Sequence, residues 1–264
     1  MPYELYYWPS IQGRGEFIRL ALEEAGADYL DVARLPEEDG MGLPALLRHL
    51  DGADGRPPFA PPFLKTGDLL IGQSANILLF LGARLGLAPR AEAGRLWVHQ
   101  LQLTLADWLG EVHDTHHPVS SDLYYEDQRL EATRRAQDFT GRRLAQFLVY
   151  CERVLSANPR GWLAGSRPTY ADLSLFQMIE GLRYAFPLAM TRLERGCPRL
   201  IELRDKVARR PNIARYLASK RRLPFSEEDI FRRYPELDLG VKPRTGRFPA
   251  PLSRPSSARS IRAA

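Results

Sequence analysis

The pattern of this sequence changes near residues 88–90, and that change constrains the fold more than any other feature. Before it, short runs with β-propensity alternate with stretches of helical periodicity, whereas only helical periodicity follows it. The helices predicted in this second part span residues 92–115, 126–156, 170–184, 198–209 and 212–220. The pattern therefore predicts two domains, a mixed α/β domain over residues 1–87 and an all-helical domain over residues 92–222.

The first domain is predicted to hold a four-stranded mixed sheet and three helices. Its elements follow the order β-α-β-α-β-β-α over residues 3–8, 14–25, 29–33, 43–50, 63–65, 69–71 and 74–86. Gly26 is positioned as the C-terminal stop of the first helix. The turn Thr66-Gly67-Asp68 makes the two strands around it antiparallel neighbours. A right-handed crossover makes the first two strands parallel, so the hairpin adds an antiparallel edge.

The net charge of +5 and the pI of about 9.3 come from the end of the chain. Residues 241–264 hold six basic residues and no acidic one, which leaves residues 1–240 at −1. A nucleic-acid-binding fold carries its basic side chains on a folded face, so no nucleic-acid partner is expected. Residues 236–264 are rich in Pro, Ser and Arg, and we predict a disordered basic tail there because they cannot bury enough apolar surface.

Neither a membrane span nor a metal site is expected. No apolar run approaches the roughly 20 residues that cross a bilayer, and the first ten residues do not have the pattern of a secretory signal. We therefore expect a cytoplasmic protein. Cys151 and Cys197 do not have metal-ligand spacing, and the histidines at 113, 116 and 117 have no further Cys or His ligands nearby in sequence.

Three motifs occupy positions where a ligand site or a helix cap is expected. Residues 7–14, Tyr-Trp-Pro-Ser-Ile-Gln-Gly-Arg, join the first strand to the first helix. Residues 60–64, Ala-Pro-Pro-Phe-Leu, are followed at 73–78 by Gln-Ser-Ala-Asn-Ile-Leu. The third motif runs from Thr169 to Asp172 and predicts a capping box, in which each residue accepts a hydrogen bond from the backbone N–H of the other.

On these motifs the chain resembles the cytosolic glutathione transferase superfamily over residues 3–220, and in particular its tyrosine-type classes (mu, pi and sigma). The resemblance implies a thioredoxin-like N-terminal domain followed by an all-α helical bundle, which is the glutathione transferase fold. It also implies glutathione as co-substrate and no metal. In that family a Tyr closes the first strand, a cis-proline turn precedes the third strand, and Gln/Glu-Ser opens the third helix.

The residue that stabilises the glutathione thiolate depends on the alignment of the first motif. Tyr7 takes that role if the loop after the first strand contains one extra residue, and we favour it because loops accept insertions. An ungapped match would put Trp8 at the tyrosine position. Ser10 is the runner-up, by analogy with the serine-type classes.

The second motif supplies the remaining glutathione contacts. Ser74 lies at the start of a helix, where free N–H groups favour an anion, so Ser74 and Gln73 are predicted to hold the γ-glutamyl carboxylate. Pro62 is expected to be cis, and its neighbour Pro61 can offer a carbonyl to the ligand but has no N–H to donate. One missing hydrogen bond of about 1 kcal/mol predicts several-fold weaker glutathione binding.

Further residues are assigned by the resemblance alone. Arg48 replaces the family's Lys at the glycyl carboxylate, and Asp107 corresponds to an acidic residue that reaches the γ-glutamyl amine across a homodimer. Trp8, Trp108 and His113 are predicted to line the electrophile pocket. The expected partners are glutathione, a small-molecule electrophile and a second copy of the chain.

The leading hypothesis is a glutathione transferase that conjugates the glutathione thiolate to small apolar electrophiles, a detoxification activity. The alternative is a catalytically silent protein of the same fold that binds ligands or partners, and Pro61 favours it. A glutathione-dependent isomerase is the third reading; the Ser-rich motif of those enzymes is missing after the first strand.

Overall fold

The computed structural model of the chain describes residues 2–52 and 55–238. The N-terminal domain contains β1 (Tyr3–Tyr6), α1 (Gly15–Ala25), β2 (Tyr29–Asp31), α2 (Gly42–Leu50), β3 (Phe63–Thr66), β4 (Leu69–Gly72) and α3 (Ser74–Arg84). The helical domain contains α4 (Glu92–His113), α5 (Arg129–Asp138), α6 (Leu144–Ser156), α7 (Tyr170–Ala185), α8 (Pro187–Leu193), α9 (Pro198–Ala208) and α10 (Pro211–Leu217). Both element orders agree with the fold class predicted from the sequence.

The sheet has the predicted mixed topology. Its strand order is β2-β1-β3-β4, with β1 parallel to β2 and antiparallel to β3, and with β3 antiparallel to β4. Gly26 ends α1 in the left-handed conformation with φ 62°, as its position after the apolar stripe predicts. Phe63 of β3 pairs with Gly72 of β4, so the chain before β3 lies next to the start of α3.

The capping box predicted at the start of α7 is confirmed. The Asp172 carboxylate accepts hydrogen bonds from the Thr169 N–H and the Leu163 N–H, each at 2.7 Å. Asp172 is fully buried, and burial raises the pKa of its carboxyl to about 6. Helix α7 runs through the centre of the helical domain, so this cap anchors the element against which α1, α4 and α9 pack.

Several elements differ from the prediction, and three of the differences concern α5 and α6, β1, and α8. The helix expected over 126–156 is divided by a single wide turn at Phe139–Arg143, which separates α5 from α6. Strand β1 ends at Tyr6 rather than Trp8, because the chain turns away from the sheet before Pro9. The short helix α8 was not predicted. Pro187 lies in its first turn, where a missing backbone N–H costs no hydrogen bond within the helix.

After α10 the chain continues as a C-terminal strap, residues 221–238, which packs on both domains. Ile230, Phe231 and Leu237 are buried in the helical core, and the Asp238 carboxylate accepts from the N–H groups at the start of α8. Residues 236–238 are therefore part of the folded structure, and the predicted disordered tail does not begin at 236. The rest of that predicted tail, residues 239–264, lies outside the described residues.

Among the residues that the structure describes, none of the helices combines the length and the apolar character that crossing a bilayer requires.

Candidate functional site

Gln73 and Ser74 lie at the first turn of α3, beside a cavity of about 300 Å³ between the two domains. We call it the anchor cavity. Gln73 has a positive φ of 69°, which turns the chain sharply from β4 into the helix. The Ser74 hydroxyl donates a weak hydrogen bond to the Arg14 carbonyl at 3.4 Å, so it is free to exchange that partner for a ligand. The free N–H groups of α3 make this end of the cavity favourable for an anion.

The opposite wall of the anchor cavity is formed by α4 and combines apolar surface with polar side chains. Leu105 and Leu109 provide apolar surface, and Phe17 adds to it from α1. Gln102 is 3% exposed, and its Oε1 atom has no hydrogen-bond partner in the described part of the chain. His99 Nδ1 on the same wall is likewise buried without a partner among those residues. The cavity therefore offers an anion-binding end and a wall that carries an unused acceptor, Gln102 Oε1, and an unused imidazole nitrogen, His99 Nδ1.

The peptide bond between Pro61 and Pro62 is cis, as the sequence predicts. Pro62 is buried and directly precedes β3, while Pro61 is half-buried. Because Phe63 pairs with Gly72, this turn lies beside the residue that precedes Gln73. The second motif is thus brought together in space, with the Pro61 carbonyl but no Pro61 N–H available to a ligand.

Tyr7 is buried at the end of β1, with only 4% of its surface exposed. Its hydroxyl accepts a hydrogen bond from the Arg14 N–H at 2.9 Å. A Cβ atom at Gly13 would lie 2.0 Å from the Tyr7 hydroxyl oxygen, and one at Gly15 would lie 2.6 Å from its ring. The glycines therefore leave the space that the Tyr7 side chain fills.

The position of Tyr7 keeps its hydroxyl protonated. Burial raises the pKa of Tyr7 to about 12, and the nearby charge of Asp229 adds to that rise. The Arg14 N–H and the charges of Arg14 and Arg19 act in the opposite direction. Within residues 2–52 and 55–238 the hydroxyl has no acceptor for its own proton, so it remains available as a donor.

The two alternatives to Tyr7 lie on the surface of the loop. Residues 8–14, which join β1 to α1, are called the Tyr7 loop here. Trp8 is 37% exposed and Ser10 is also exposed. Among the described residues of the loop, Arg14 borders the anchor cavity, whereas Trp8 and Ser10 do not. Tyr7 does not border it either and is connected to it through its hydrogen bond with Arg14.

Trp108 and Arg48 are placed where the predicted roles do not fit. Trp108 is fully buried and stacks on Phe147 with ring centroids 5.0 Å apart, because it lies on the core side of α4; it does not line an electrophile pocket. Arg48 donates to the Gly40 carbonyl at 3.0 Å and borders a separate cavity with Lys65. That cavity shares no lining residue with the anchor cavity, so Arg48 does not lie beside Ser74.

Asp107 and His113 occupy different parts of α4. Asp107 is exposed on the helix surface, next in sequence to Ala106 of the anchor cavity. His113 packs its ring against His116 and His117, and burial together with His117 lowers its pKa to about 4. In the described residues, no group of three or more His, Cys, Asp or Glu side chains is arranged to hold a metal ion.

Sequence reasoning missed the contribution of the C-terminal strap to this region. The Asp229 carboxylate accepts from the N–H groups of Gln12 and Gly13 in the Tyr7 loop, and Arg222 forms an ion pair of 2.6 Å with the buried Glu16 of α1. The one sequence signal was the apolar pair Ile230-Phe231 in a polar stretch, which indicates burial but does not identify the partner.

The arrangement can hold an anionic group at α3 and present a protonated phenol from the end of β1. A peptide-like ligand with a carboxylate at one end and a thiol further along fits these two features. The apolar residues of the anchor cavity exclude water from part of the site.

Known proteins with similar sequences are named glutathione S-transferases. A family model described as "Glutathione S-transferase, C-terminal domain" matches residues 113–220. The glutathione S-transferase of Plasmodium falciparum is 22% identical over 225 residues, which cover 82% of this chain and 95% of the relative. Glutathione S-transferase P 1 of Xenopus laevis is 26% identical over 223 residues, which cover 83% of this chain and 93% of the relative.

Solved structures give the same fold. The pi-class glutathione S-transferase of Onchocerca volvulus superposes with a TM-score of 0.63 at 21% identity, covering 82% of this chain and 92% of that one. A glutathione s-transferase of the hookworm Necator americanus, described as monomeric, gives a TM-score of 0.62 at 18% identity, covering 85% of this chain and 100% of that one. These structural likenesses establish the two-domain fold.

Proposed function

We propose that this chain is a member of the cytosolic glutathione transferase superfamily and that it conjugates glutathione to small apolar electrophiles. The observation that carries the proposal is the anchor cavity, with Ser74 at the first turn of α3 and the acceptor Gln102 Oε1 on α4. The relatives are named glutathione S-transferases, which supports the same co-substrate here. The proposal includes a cytoplasmic location and a role in detoxification.

Glutathione is proposed to bind with its γ-glutamyl carboxylate at the N-terminus of α3. Ser74 and the free N–H groups of that turn donate to the carboxylate, and the positive φ of Gln73 turns the chain so that they can do so. The γ-glutamyl ammonium then finds an acceptor in Gln102 Oε1, which is buried without a partner in the described residues. The Pro61 carbonyl accepts from the cysteinyl N–H.

Tyr7 is the proposed activator of the thiol. Its hydroxyl already accepts from the Arg14 N–H and therefore donates its own proton to the thiolate sulfur. In the conjugation step the sulfur forms a bond to an electrophilic carbon, and the leaving group departs with the bonding electron pair. The thiol proton is released to solvent before that step. Trp8 and His113 are proposed to contact the electrophile.

A homodimer is part of the proposal, and two surface features support it. Phe59 is 98% exposed on the loop before Pro61, and Leu96 and Leu103 are exposed along α4, so an isologous contact would bury apolar surface. Asp107 on the same helix would then reach the γ-glutamyl ammonium of the partner's site.

A catalytically silent ligand-binding protein is the second candidate, because Tyr7 is 4% exposed and Pro61 has no N–H. Conjugation of a chloronitrobenzene electrophile and retention on immobilised glutathione distinguish the two candidates. We expect wild type and Ser10→Ala to be active, Tyr7→Phe to bind but lose most activity, and Ser74→Ala to lose retention. Retention without activity in wild type supports the silent candidate, and full activity in Tyr7→Phe removes Tyr7 as the activator.

A further inference from the structure

The C-terminal strap lies against the Tyr7 loop, and one carboxylate of the strap accepts hydrogen bonds from two backbone N–H groups of the loop. Asp229 Oδ1 accepts from the Gly13 N–H at 2.9 Å, and Oδ2 accepts from the Gln12 N–H at 3.1 Å. The next N–H along the chain, that of Arg14, donates to Tyr7. Of these three consecutive N–H groups before α1, two donate to the Asp229 carboxylate and the third donates to the Tyr7 hydroxyl.

The strap is itself held in place by the helical domain. Asp229 is 2% exposed, and the adjacent Ile230 and Phe231 are buried in the helical core. A Cβ atom at Gly181 of α7 would lie 2.4 Å from the Phe231 ring, so the ring sits directly against the helix backbone. The Ile230 carbonyl is 2.8 Å from the His116 ring at the end of α4. The residues that follow Asp229 therefore anchor it to the helical domain.

A second set of contacts ties the loop to α7. The Gln12 side chain donates to the Leu223 carbonyl and accepts from Gln177 Nε2 at 2.7 Å. Arg222 donates to Gln177 at 3.0 Å and to the buried Glu16 at 2.6 Å. The loop therefore depends on the strap for side-chain as well as backbone hydrogen bonds.

From this geometry we infer that Asp229 is a positioning residue of the glutathione site, which fixes the Tyr7 loop and the hydroxyl that it holds. The inference rests on the proposed function, since it concerns the same site. Asp229 does not touch the ligand. It acts through Gly13 and Arg14, whose backbone sets the position of the Tyr7 oxygen.

The charge of Asp229 has a separate, measurable effect. The charged groups that face Tyr7 are Asp229, Arg14 and Arg19, and of these only Asp229 favours the protonated phenol. Removing its charge should therefore lower the pH at which Tyr7 ionises. Tyr184 also responds to the Asp229 charge, so the Tyr7 signal must be isolated by subtraction of a Tyr7→Phe background.

Asp238 provides a matched control within the strap. Its buried carboxylate accepts from two backbone N–H groups, those of Leu188 and Ala189, at the start of α8. Burial raises the pKa of both Asp229 and Asp238. The two residues therefore share chemistry, burial and chain segment, and they differ in which backbone they hold.

The experiment compares Asp229→Asn with Asp238→Asn in the full chain. Stability is measured by denaturation, Tyr7 ionisation by ultraviolet titration with and without Tyr7→Phe, and kcat/KM for glutathione as a function of pH. We expect both variants to lose stability. Only Asp229→Asn should lower the pH at which Tyr7 ionises. The same variant should reduce kcat/KM about tenfold, because the loop loses hydrogen bonds to the strap.

Equal Tyr7 ionisation and equal kcat/KM in the two variants would overturn the inference. If Asp229→Asn does not fold, Asp229→Glu provides the same test, because the charge remains while the two N–H bonds cannot both be kept. In that variant kcat/KM should fall with Tyr7 ionisation close to wild type, and an unchanged kcat/KM overturns the inference. An inactive wild type contradicts the proposed function. The hold on the loop is then measured by amide hydrogen exchange at Gln12 and Gly13, which Asp229→Asn and Asp229→Glu should accelerate and Asp238→Asn should not; equal exchange in all three variants overturns the inference.

Discussion

The anchor cavity and the Tyr7 loop meet at Arg14, and they are built in opposite ways. At the anchor cavity the anion-binding groups belong to the first turn of one helix, next to each other in sequence, and face open space. At the Tyr7 loop the donors are already occupied, by a phenol seven residues away and by a carboxylate more than 200 residues away. The first part is available for a ligand, whereas the second is a closed structure that orients one hydroxyl.

Substitutions in the two regions should therefore have different effects. Changes at the anchor cavity should alter ligand affinity and leave the fold intact, because few internal contacts are lost there. Changes at the Tyr7 loop should alter stability first, since its contacts are internal.

The largest effect is expected at Gly13, where Gly13→Ala should lower the free energy of unfolding by about 3 kcal/mol. The new Cβ would lie 2.0 Å from the Tyr7 hydroxyl oxygen, at a residue with φ +43°. Overpacking of about 1 to 3 kcal/mol adds to a backbone strain of about 1 kcal/mol. Urea denaturation measures the loss.

Gly67→Ala is the control for Gly13→Ala, because Gly67 has φ +56° and no other atom of residues 2–52 and 55–238 would lie within 4 Å of a new Cβ. It should show only the backbone strain of about 1 kcal/mol. Equal losses in the two variants would mean that the Tyr7 loop is not closely packed around the hydroxyl.

A smaller effect is expected from Tyr7 at alkaline pH. The pKa of Tyr7 is about 12 in the folded protein against about 10 for an ordinary tyrosine. Between these pH values the unfolded chain releases a proton that the folded protein retains, so the free energy of unfolding falls as pH rises. The Tyr7→Phe variant has no such proton. By pH 12 its free energy of unfolding should therefore have fallen by about 2 kcal/mol less than that of wild type.

The Ser74→Ala variant is the control, and its free energy of unfolding is measured over the same pH range. Ser74 lies at the anchor cavity and has no part in the Tyr7 ionisation. The free energy of unfolding of Ser74→Ala should therefore fall with pH as much as that of wild type. Parallel curves for wild type and Tyr7→Phe would show that Tyr7 is not buried as described.

The smallest effect is expected at Pro61, upstream of the anchor cavity. Pro61→Ala restores a backbone N–H that can donate to the ligand, and one hydrogen bond of about 1 kcal/mol corresponds to a dissociation constant for glutathione about fivefold lower. Titration calorimetry measures it. Pro58→Ala, in the same loop, should leave the dissociation constant unchanged. An identical gain in both variants would point to loop flexibility rather than to the restored donor.

Much of the fold was predictable because its signals are local. The strand and helix order of the first domain follows from periodicity, and Gly26, Thr169 and Asp172 mark helix ends by their own chemistry. The wide turn at Phe139–Arg143 was not predictable, since the apolar stripe of a helix continues through one extra residue.

The candidate site was predictable only where it is continuous in sequence. Gln73, Ser74 and the cis Pro61–Pro62 bond belong to one motif, and the structure brings them together as the motif implies. Trp108 was misassigned because an aromatic residue on a helix has the same sequence signature whether it faces a cavity or the core. The roles of Asp229 and Gln177 depend on contacts that no local pattern specifies.

The reach of Asp229 across the chain has a consequence for synthesis in the cell. The contacts from Asp229 to Gln12 and Gly13 span 217 and 216 residues. At about 5 to 20 residues per second, the ribosome makes Asp229 roughly 10 to 40 s after the loop. During that interval the nascent thioredoxin-like domain has Tyr7 but not the carboxylate that holds its loop. The Tyr7 loop is therefore made early but is among the last parts of the enzyme to reach its final conformation.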